Sequence, residues 1–83
     1  MNVELNQDDL SIIIDALEEI ADNYEDDWEQ ESGEDAINTA EELLKHRKLI
    51  HRLVHLTNEK TETIEIIAKQ IANVEEWLEA HPR

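Results

Sequence analysis

The feature that most constrains the fold is a run of apolar residues repeating with the period of an α-helix. The run spans residues 10–28, and its members recur at i, i+3, i+4 and i+7. They are Leu10, Ile13, Ile14, Leu17, Ile20, Ala21, Tyr24 and Trp28. This spacing places all of them on one face of a helix. The pattern therefore predicts an amphipathic helix whose apolar face is buried against the rest of the chain.

Local signals set the limits of this first helix. Asn6 is a residue type that favours the N-cap position, and two carboxylates follow it in the first turn. We predict helix 1 from about Gln7 to Tyr24, with an extension to Trp28 as the alternative. Carboxylates crowded after Tyr24 repel one another at i+3 and i+4, which weakens the helix there. Ser32-Gly33 is the strongest break in the sequence.

Two further helical segments follow this break. Ser32 and Asp35 have the spacing of a capping box, and helix 2 is predicted over residues 34–56. Thr57-Asn58 is the next boundary and offers a cap for a third helix. It contains no Gly or Pro, so two separate helices and one long bent helix both remain open. The third segment ends at His81-Pro82, because proline does not continue a helix.

These segments predict an all-α fold in a single domain over residues 1–83. We expect a three-helix arrangement: an acidic helix 1 plus a long helical hairpin or bent helix, with residues 1–6 as an extended lead-in. The predicted core is Leu10, Ile13, Ile14, Leu17, Ile20, Leu43, Ile50, Leu53, Ile64, Ile67, Ile71, Val74 and Leu78. The apolar stripes, together with Trp28 and Trp77, exceed what three short helices bury in one small domain. We therefore expect a homodimer or higher oligomer.

Composition excludes several classes of partner and compartment. The formal net charge is −15 on 83 residues, which argues against nucleic acid or an anionic membrane as a direct partner. The chain has no Cys, so disulfides and thiolate metal sites are excluded. No run approaches the roughly 20 apolar residues of a membrane span, and the N-terminus lacks the basic and apolar regions of a signal peptide. We expect a soluble, cytoplasmic protein.

The sequence matches no catalytic or metal-binding motif. His51 and His55 have the i, i+4 spacing of paired zinc ligands, but the glutamate of an HExxH motif is missing. Lys48 and Arg52 also place positive charge beside that pair. The acidic segment over residues 22–34 does not match the ligand positions of a calcium loop. We predict a non-enzymatic protein without metal or cofactor.

A short basic segment over residues 45–55 contrasts with the acidic first half. Its cations are Lys45, Arg47, Lys48 and Arg52. One interpretation is a site for phosphate or a nucleotide. The other is internal: the only basic cluster pairs with the acidic segment and fixes how helix 1 docks on helix 2. The internal interpretation is favoured, because cations near so many carboxylates would be neutralised.

The acidic segment is the feature with the most functional content. Residues 1–44 carry 16 acidic and no basic side chains. If residues 4–35 formed one helix, its 14 carboxylates would average one per about 3.4 Å of helix length, which matches the phosphate spacing along the axis of one B-DNA strand. A solvated face kept acidic for solubility is the alternative. The predicted partner-binding residues are Asp8, Asp15, Glu18, Glu19, Asp22, Glu25, Asp26, Asp27 and Glu29.

In size, in lack of Cys and in Asp/Glu density over residues 8–35, the chain resembles the small acidic helical proteins of bacteriophages. These include DNA-mimicking inhibitors of restriction, repair and CRISPR enzymes. The resemblance implies an inhibitor whose acidic face occupies a basic, nucleic-acid-binding surface of a target protein. Two alternatives stay open. One is a helical oligomer that holds a small anionic ligand, such as a signalling nucleotide, through helix 2. The other is a structural or regulatory dimer.

Overall fold

The part of the chain that the structure describes consists of three α-helices. The computed structural model describes residues 6–57 and 61–82, and within those ranges the elements are α1 (Gln7–Gln30), α2 (Gly33–Val54) and α3 (Thr61–Ala80). The described part contains no strand, so the predicted all-α class is confirmed. None of these helices combines the length and the apolar composition needed to cross a membrane. The predicted lead-in before Asn6 and the predicted cap at Asn58 lie outside the described residues.

α1 begins where the sequence predicted. Asn6 is the N-cap, and its side-chain oxygen accepts a hydrogen bond from the backbone N–H of Asp9 at 2.8 Å. The Asp9 carboxylate in turn accepts from the backbone N–H of Asn6 at 3.3 Å, which completes a capping box. The helix runs to Gln30, beyond both predicted ends. Packing of Trp28 against the core supplies the stabilisation that outweighs carboxylate repulsion in this last stretch.

The connection between α1 and α2 lies at the predicted break. Glu31 and Ser32 are extended, and Gly33 has a positive φ of 63°. A β-carbon disfavours this left-handed conformation, so glycine is the suitable residue here. Ser32 is the N-cap of α2, but its side chain makes no capping hydrogen bond, so the predicted capping box with Asp35 is wrong. The left-handed backbone at Gly33 interrupts the ordinary first turn on which that bond depends.

α2 ends at Val54, two residues before the predicted end at 56. The hydroxyl of Thr57 donates to the carbonyl of Val54 at 2.7 Å, and the N–H of Leu56 donates to Leu53 at 3.0 Å. These bonds satisfy carbonyls that a helix end leaves without partners. α3 ends at Ala80, immediately before His81 and Pro82, as predicted.

α2 is the central helix and contacts both of the others. Contacts at the two ends of the α1–α2 pair show that these helices are antiparallel. At one end, Gln7 Nε2 donates to the carbonyl of Leu56 at 3.2 Å. At the other, Thr39 Oγ1 donates to the Glu31 carboxylate at 2.7 Å. α3 reaches α1 through an aromatic contact near the end of both helices, described below.

The core draws on all three helices. Its buried apolar residues are Leu10, Ile14, Ala21, Ala36, Ala40, Leu43, Ile50, Val54, Ile67 and Val74. Five other predicted core residues are half-buried: Leu17, Leu53, Ile64, Ile71 and Leu78. The predictions for Ile13 and Ile20 are wrong, since these side chains are 37% and 42% exposed. They lie seven residues apart on an edge of the α1 stripe that the other helices leave uncovered.

Candidate functional site

α1 presents an outward line of carboxylates, here called the carboxylate row. Its members are Asp15, Glu19, Asp22, Asp26 and Glu29, at successive spacings of four, three, four and three residues. Residues so spaced lie one above another on a helix. At 1.5 Å per residue the row is about 21 Å long, with a carboxylate about every 5 Å. α1 contains ten acidic residues and no Lys or Arg among its 24 residues, so no cation of this helix interrupts the row.

The nine acidic residues predicted to bind a partner do not all share one surface. Seven are exposed: Asp8, Asp15, Glu19, Asp22, Asp26, Asp27 and Glu29. Glu18 and Glu25 are half-buried, because they border the side of α1 that meets the other helices. Asp27 follows Asp26 by one residue and therefore projects about 100° away from the row. The structure thus places five of the nine in the carboxylate row, and Asp8 lies on the same face of α1, seven residues before Asp15.

Arg47 is the buried centre of a polar cluster that joins all three helices. Its side chain is 6% exposed, although it belongs to the predicted anion-binding set. Nη1 donates to Gln70 of α3 at 2.9 Å, while Nη2 lies 3.4 Å from both Asp22 and Glu25 of α1. This is the internal pairing of basic and acidic segments that the sequence favoured, and in this cluster Arg47 provides it.

The sequence contained a signal for this position of Arg47. The buried residues of α2 follow one another at spacings of four or three. They are Ala36, Ala40, Leu43, Arg47, Ile50 and Val54. Arg47 therefore occupies a place in the apolar stripe of α2, and a helical projection of the predicted core would have placed it inside. A charged residue in such a stripe predicts an internal ion pair, because unpaired charges are almost never buried.

The other cations of α2 lie on the surface. Lys45, Lys48 and Arg52 are exposed. Lys45 Nζ lies 3.3 Å from the Glu42 carboxylate, and Lys48 Nζ lies 3.7 Å from that of Glu75. Exposed pairs of this kind contribute little to stability. An anion site on α2 would have to be built from these three side chains without Arg47.

A groove separates α1 from α3 on one side of the bundle. It has a volume of about 200 Å³, with Arg47 and Ile50 of α2 between walls that include Asp22 of α1 and Gln70 of α3. Two of the polar side chains that line it, Asp22 and Gln70, already bond to the Arg47 guanidinium. The groove is therefore a structural feature of the arginine cluster.

The two tryptophans meet where α1 and α3 end. Trp28 and Trp77 have ring centroids 5.4 Å apart and are perpendicular. The ring of His81 stacks on Trp77 at 4.1 Å, and its Nδ1–H donates to the Trp77 carbonyl at 2.8 Å. An open groove of about 390 Å³ is lined by both indoles together with Glu29 and Glu31. We call this site the indole corner. In the sequence, both tryptophans count among the apolar residues that exceed what one small domain buries, and in the structure they contact each other within one chain.

The histidine pair on α2 is a contact between rings. His51 and His55 have ring centroids 4.6 Å apart in an edge-to-face arrangement. In residues 6–57 and 61–82, no three His, Asp or Glu side chains converge closely enough to hold a metal ion.

Comparisons with protein-family models, with curated proteins and with solved structures found no match. The surfaces of this chain are therefore the basis for assigning its function. Two of them combine exposure with a definite chemical character. The carboxylate row of α1 is a line of negative charge, and the indole corner joins aromatic walls to two carboxylates.

Proposed function

We propose that this protein is a non-enzymatic binder whose carboxylate row occupies a basic, nucleic-acid-binding surface of another protein, as DNA mimics do. The observation that carries the proposal is the regular spacing of the row on α1, whose central member, Asp22, also pairs with Arg47. The helix is capped at Asn6, runs unbroken for 24 residues and contains no cation. A target of suitable chemistry is a defence or repair enzyme that grips the phosphates of nucleic acid with Lys and Arg.

The geometry of the row suits this task in two respects. A helix packed on a core holds its carboxylates in fixed positions, so less side-chain and backbone freedom is lost on binding. The net charge of −15 also steers a basic surface towards the molecule and raises the association rate. Neighbouring carboxylates of the row repel one another, and cations of a partner that lie between them relieve this repulsion.

The structure also favours the acidic surface over helix 2 as the binding site. A nucleotide site needs several converging cations, and of the two arginines of α2, whose guanidinium forks suit a phosphate, Arg47 is the buried one. Its guanidinium faces inward and already bonds to Asp22, Glu25 and Gln70. Recruiting it to a surface ligand would break the contacts that join the three helices.

The decisive experiment compares two neutralised variants of equal net charge. The first replaces Asp15, Glu19, Asp26 and Glu29 of α1 with Asn or Gln, leaving Asp22 to pair with Arg47. The matched control replaces four exposed α3 residues, Glu62, Glu65, Glu76 and Glu79, with Gln. Each immobilised protein is exposed to a bacterial lysate and eluted with salt or with duplex DNA, and circular dichroism checks its helicity.

We expect the wild type and the α3 control to capture nucleic-acid-binding proteins that duplex DNA displaces. The α1 variant should lose them while keeping its helicity. Equal loss in both variants would mean that net charge acts without the geometry of the row. A third outcome is that the α1 variant still captures these proteins, while a variant with Lys45, Lys48 and Arg52 neutralised loses them. That result would replace this proposal with an anion site on α2.

A second candidate function, a structural or regulatory dimer, is favoured by a different observation. Ile13 and Ile20 are at least 37% exposed and lie seven residues apart on α1, which is the spacing of a helix–helix seam. Leu49 of α2 is 37% exposed, and Leu56, two residues beyond the end of α2, is 64% exposed. Light scattering across a concentration series tests this candidate. A dimeric mass that Ile20→Gln together with Leu49→Gln converts to a monomer would support it, and a monomeric wild type at high concentration would exclude it.

A further inference from the structure

The indole corner has the composition of a site for an organic cation. The ring of His81 covers one face of Trp77, so the cation would use the indole surfaces that Trp28 and Trp77 turn towards the groove. The faces of indole rings are negatively polarised and attract Lys, Arg and quaternary ammonium groups. Trp28 and Trp77 are only half-buried, so part of their surface is open to the groove between them and the carboxylates. The groove holds about 390 Å³, which is room for the end of one long side chain.

The two carboxylates of the corner are held in different ways. Glu31 accepts a hydrogen bond from Thr39 Oγ1 at 2.7 Å, which ties it to the first turns of α2. Glu29 is exposed and is the last member of the carboxylate row. The corner is therefore continuous with the proposed partner surface, and a protein docked along the row would reach it.

We propose that the indole corner binds the guanidinium group of an arginine side chain from the basic partner. This inference rests on the proposed function and adds a specific anchor to it. A guanidinium is planar, stacks on an indole and presents several N–H donors to neighbouring carboxylates. A lysine ammonium has no flat face and is more strongly hydrated, so it uses only part of the same site. We therefore expect the corner to bind arginine more tightly than lysine. A surface with only uniform negative charge would discriminate less between the two.

The site carries its own reporter. Trp28 and Trp77 are the only tryptophans in the chain, so intrinsic fluorescence comes from the corner itself. The probes are a capped oligoarginine peptide and the capped oligolysine peptide of equal length and charge. Each is titrated into the intact protein at low salt, and affinity is measured in parallel by calorimetry. We expect the arginine peptide to change tryptophan emission and to bind about two- to fivefold more tightly than the lysine peptide.

Matched charge variants separate the corner from the rest of α1. Glu29→Gln removes a carboxylate from the groove, and Asp8→Asn removes one from the opposite end of the same helix. Both are exposed, so the fold should tolerate either change. We expect Glu29→Gln to abolish the preference for arginine, whereas Asp8→Asn should weaken both peptides slightly and keep the preference. Trp28→Phe should also reduce the preference, with helicity checked by circular dichroism. Should that variant unfold, the comparison of Glu29→Gln with Asp8→Asn still tests the arginine preference.

Three results would overturn the inference, and each has a different consequence for the proposed function of the carboxylate row. Equal affinity for both peptides, with unchanged tryptophan emission, would exclude arginine binding at the corner. The proposed function of the carboxylate row would be unaffected. If Glu29→Gln and Asp8→Asn reduce the arginine preference equally, the corner is not the binding site. The preference would then be a property of the whole acidic surface. Failure of both peptides to bind would count against the row and the corner together.

Discussion

Removing the guanidinium of Arg47 tests how the three helices are held together. The side chain is 6% exposed and bonds to Gln70 at 2.9 Å and to Asp22 and Glu25 at 3.4 Å. Arg47→Met retains an apolar stem of similar length and removes the charge and its bonds. Neither carboxylate is left buried by this change, because the side chains of Asp22 and Glu25 are 69% and 39% exposed.

The magnitude follows from these partners. A hydrogen bond from a charged donor contributes about 1.5–3 kcal/mol, and the two longer ion pairs to exposed carboxylates add less than about 1 kcal/mol each. Relief of the desolvation of a buried cation opposes this loss. We expect Arg47→Met to lower the free energy of unfolding by about 1–2 kcal/mol. Arg47→Ala should cost about 2 kcal/mol more, because it also leaves a cavity between the helices.

Urea unfolding followed by circular dichroism at 222 nm measures both values. Arg52→Met is the matched control, since it makes the same charge change at an exposed position of the same helix. We expect its free energy of unfolding to stay within about 0.5 kcal/mol of the wild type. An Arg47→Met variant as stable as the wild type, or more stable, would refute the reasoning. Desolvation would then cancel the bonds, and apolar packing alone would fix the docking of α1.

Three further predictions concern charge and local structure. The melting temperature should rise between about 0.02 and about 0.5 M NaCl, because screening weakens the repulsion behind a net charge of −15; a fall would mean that the internal ion pairs dominate. Asn6→Ala removes the capping box and should lower the free energy of unfolding by about 1 kcal/mol in urea unfolding. Gly33→Ala should cost about 1 kcal/mol or more at its φ of 63°, whereas Ser32→Ala, whose side chain makes no capping bond, should leave the unfolding midpoint unchanged.

The helices were predictable because their signals are local. The apolar period, the N-cap at Asn6 and the break at Ser32-Gly33 need no knowledge of the rest of the chain. The end of α1 was placed too early because a tertiary contact decides it. Carboxylate repulsion after Tyr24 is a local effect, and packing of Trp28 against Trp77 outweighs it.

The core and the site were predictable only in part. The width of an apolar stripe does not reveal which edge another helix will cover, so Ile13 and Ile20 were wrongly placed inside. Ala21 and Ala40 are fully buried, yet small residues at close helix contacts carry little hydrophobic signal by themselves. At the site, the helical period of the sequence was enough to predict that most α1 carboxylates are exposed. The inward position of Arg47 depends on how α2 is rotated in the bundle.

The distribution of charge among the helices bears on why α1 is acidic. α1 carries ten acidic and no basic residues, α2 carries four of each, and α3 carries five acidic residues and one lysine. Solubility requires a net charge but does not require its concentration on one helix, where repulsion between neighbours costs stability. Arg47 pairs with Glu25 and with Asp22, which is the central member of the carboxylate row. The other four members have no Lys or Arg within their own helix, and this asymmetry is what the proposed partner surface for cations requires.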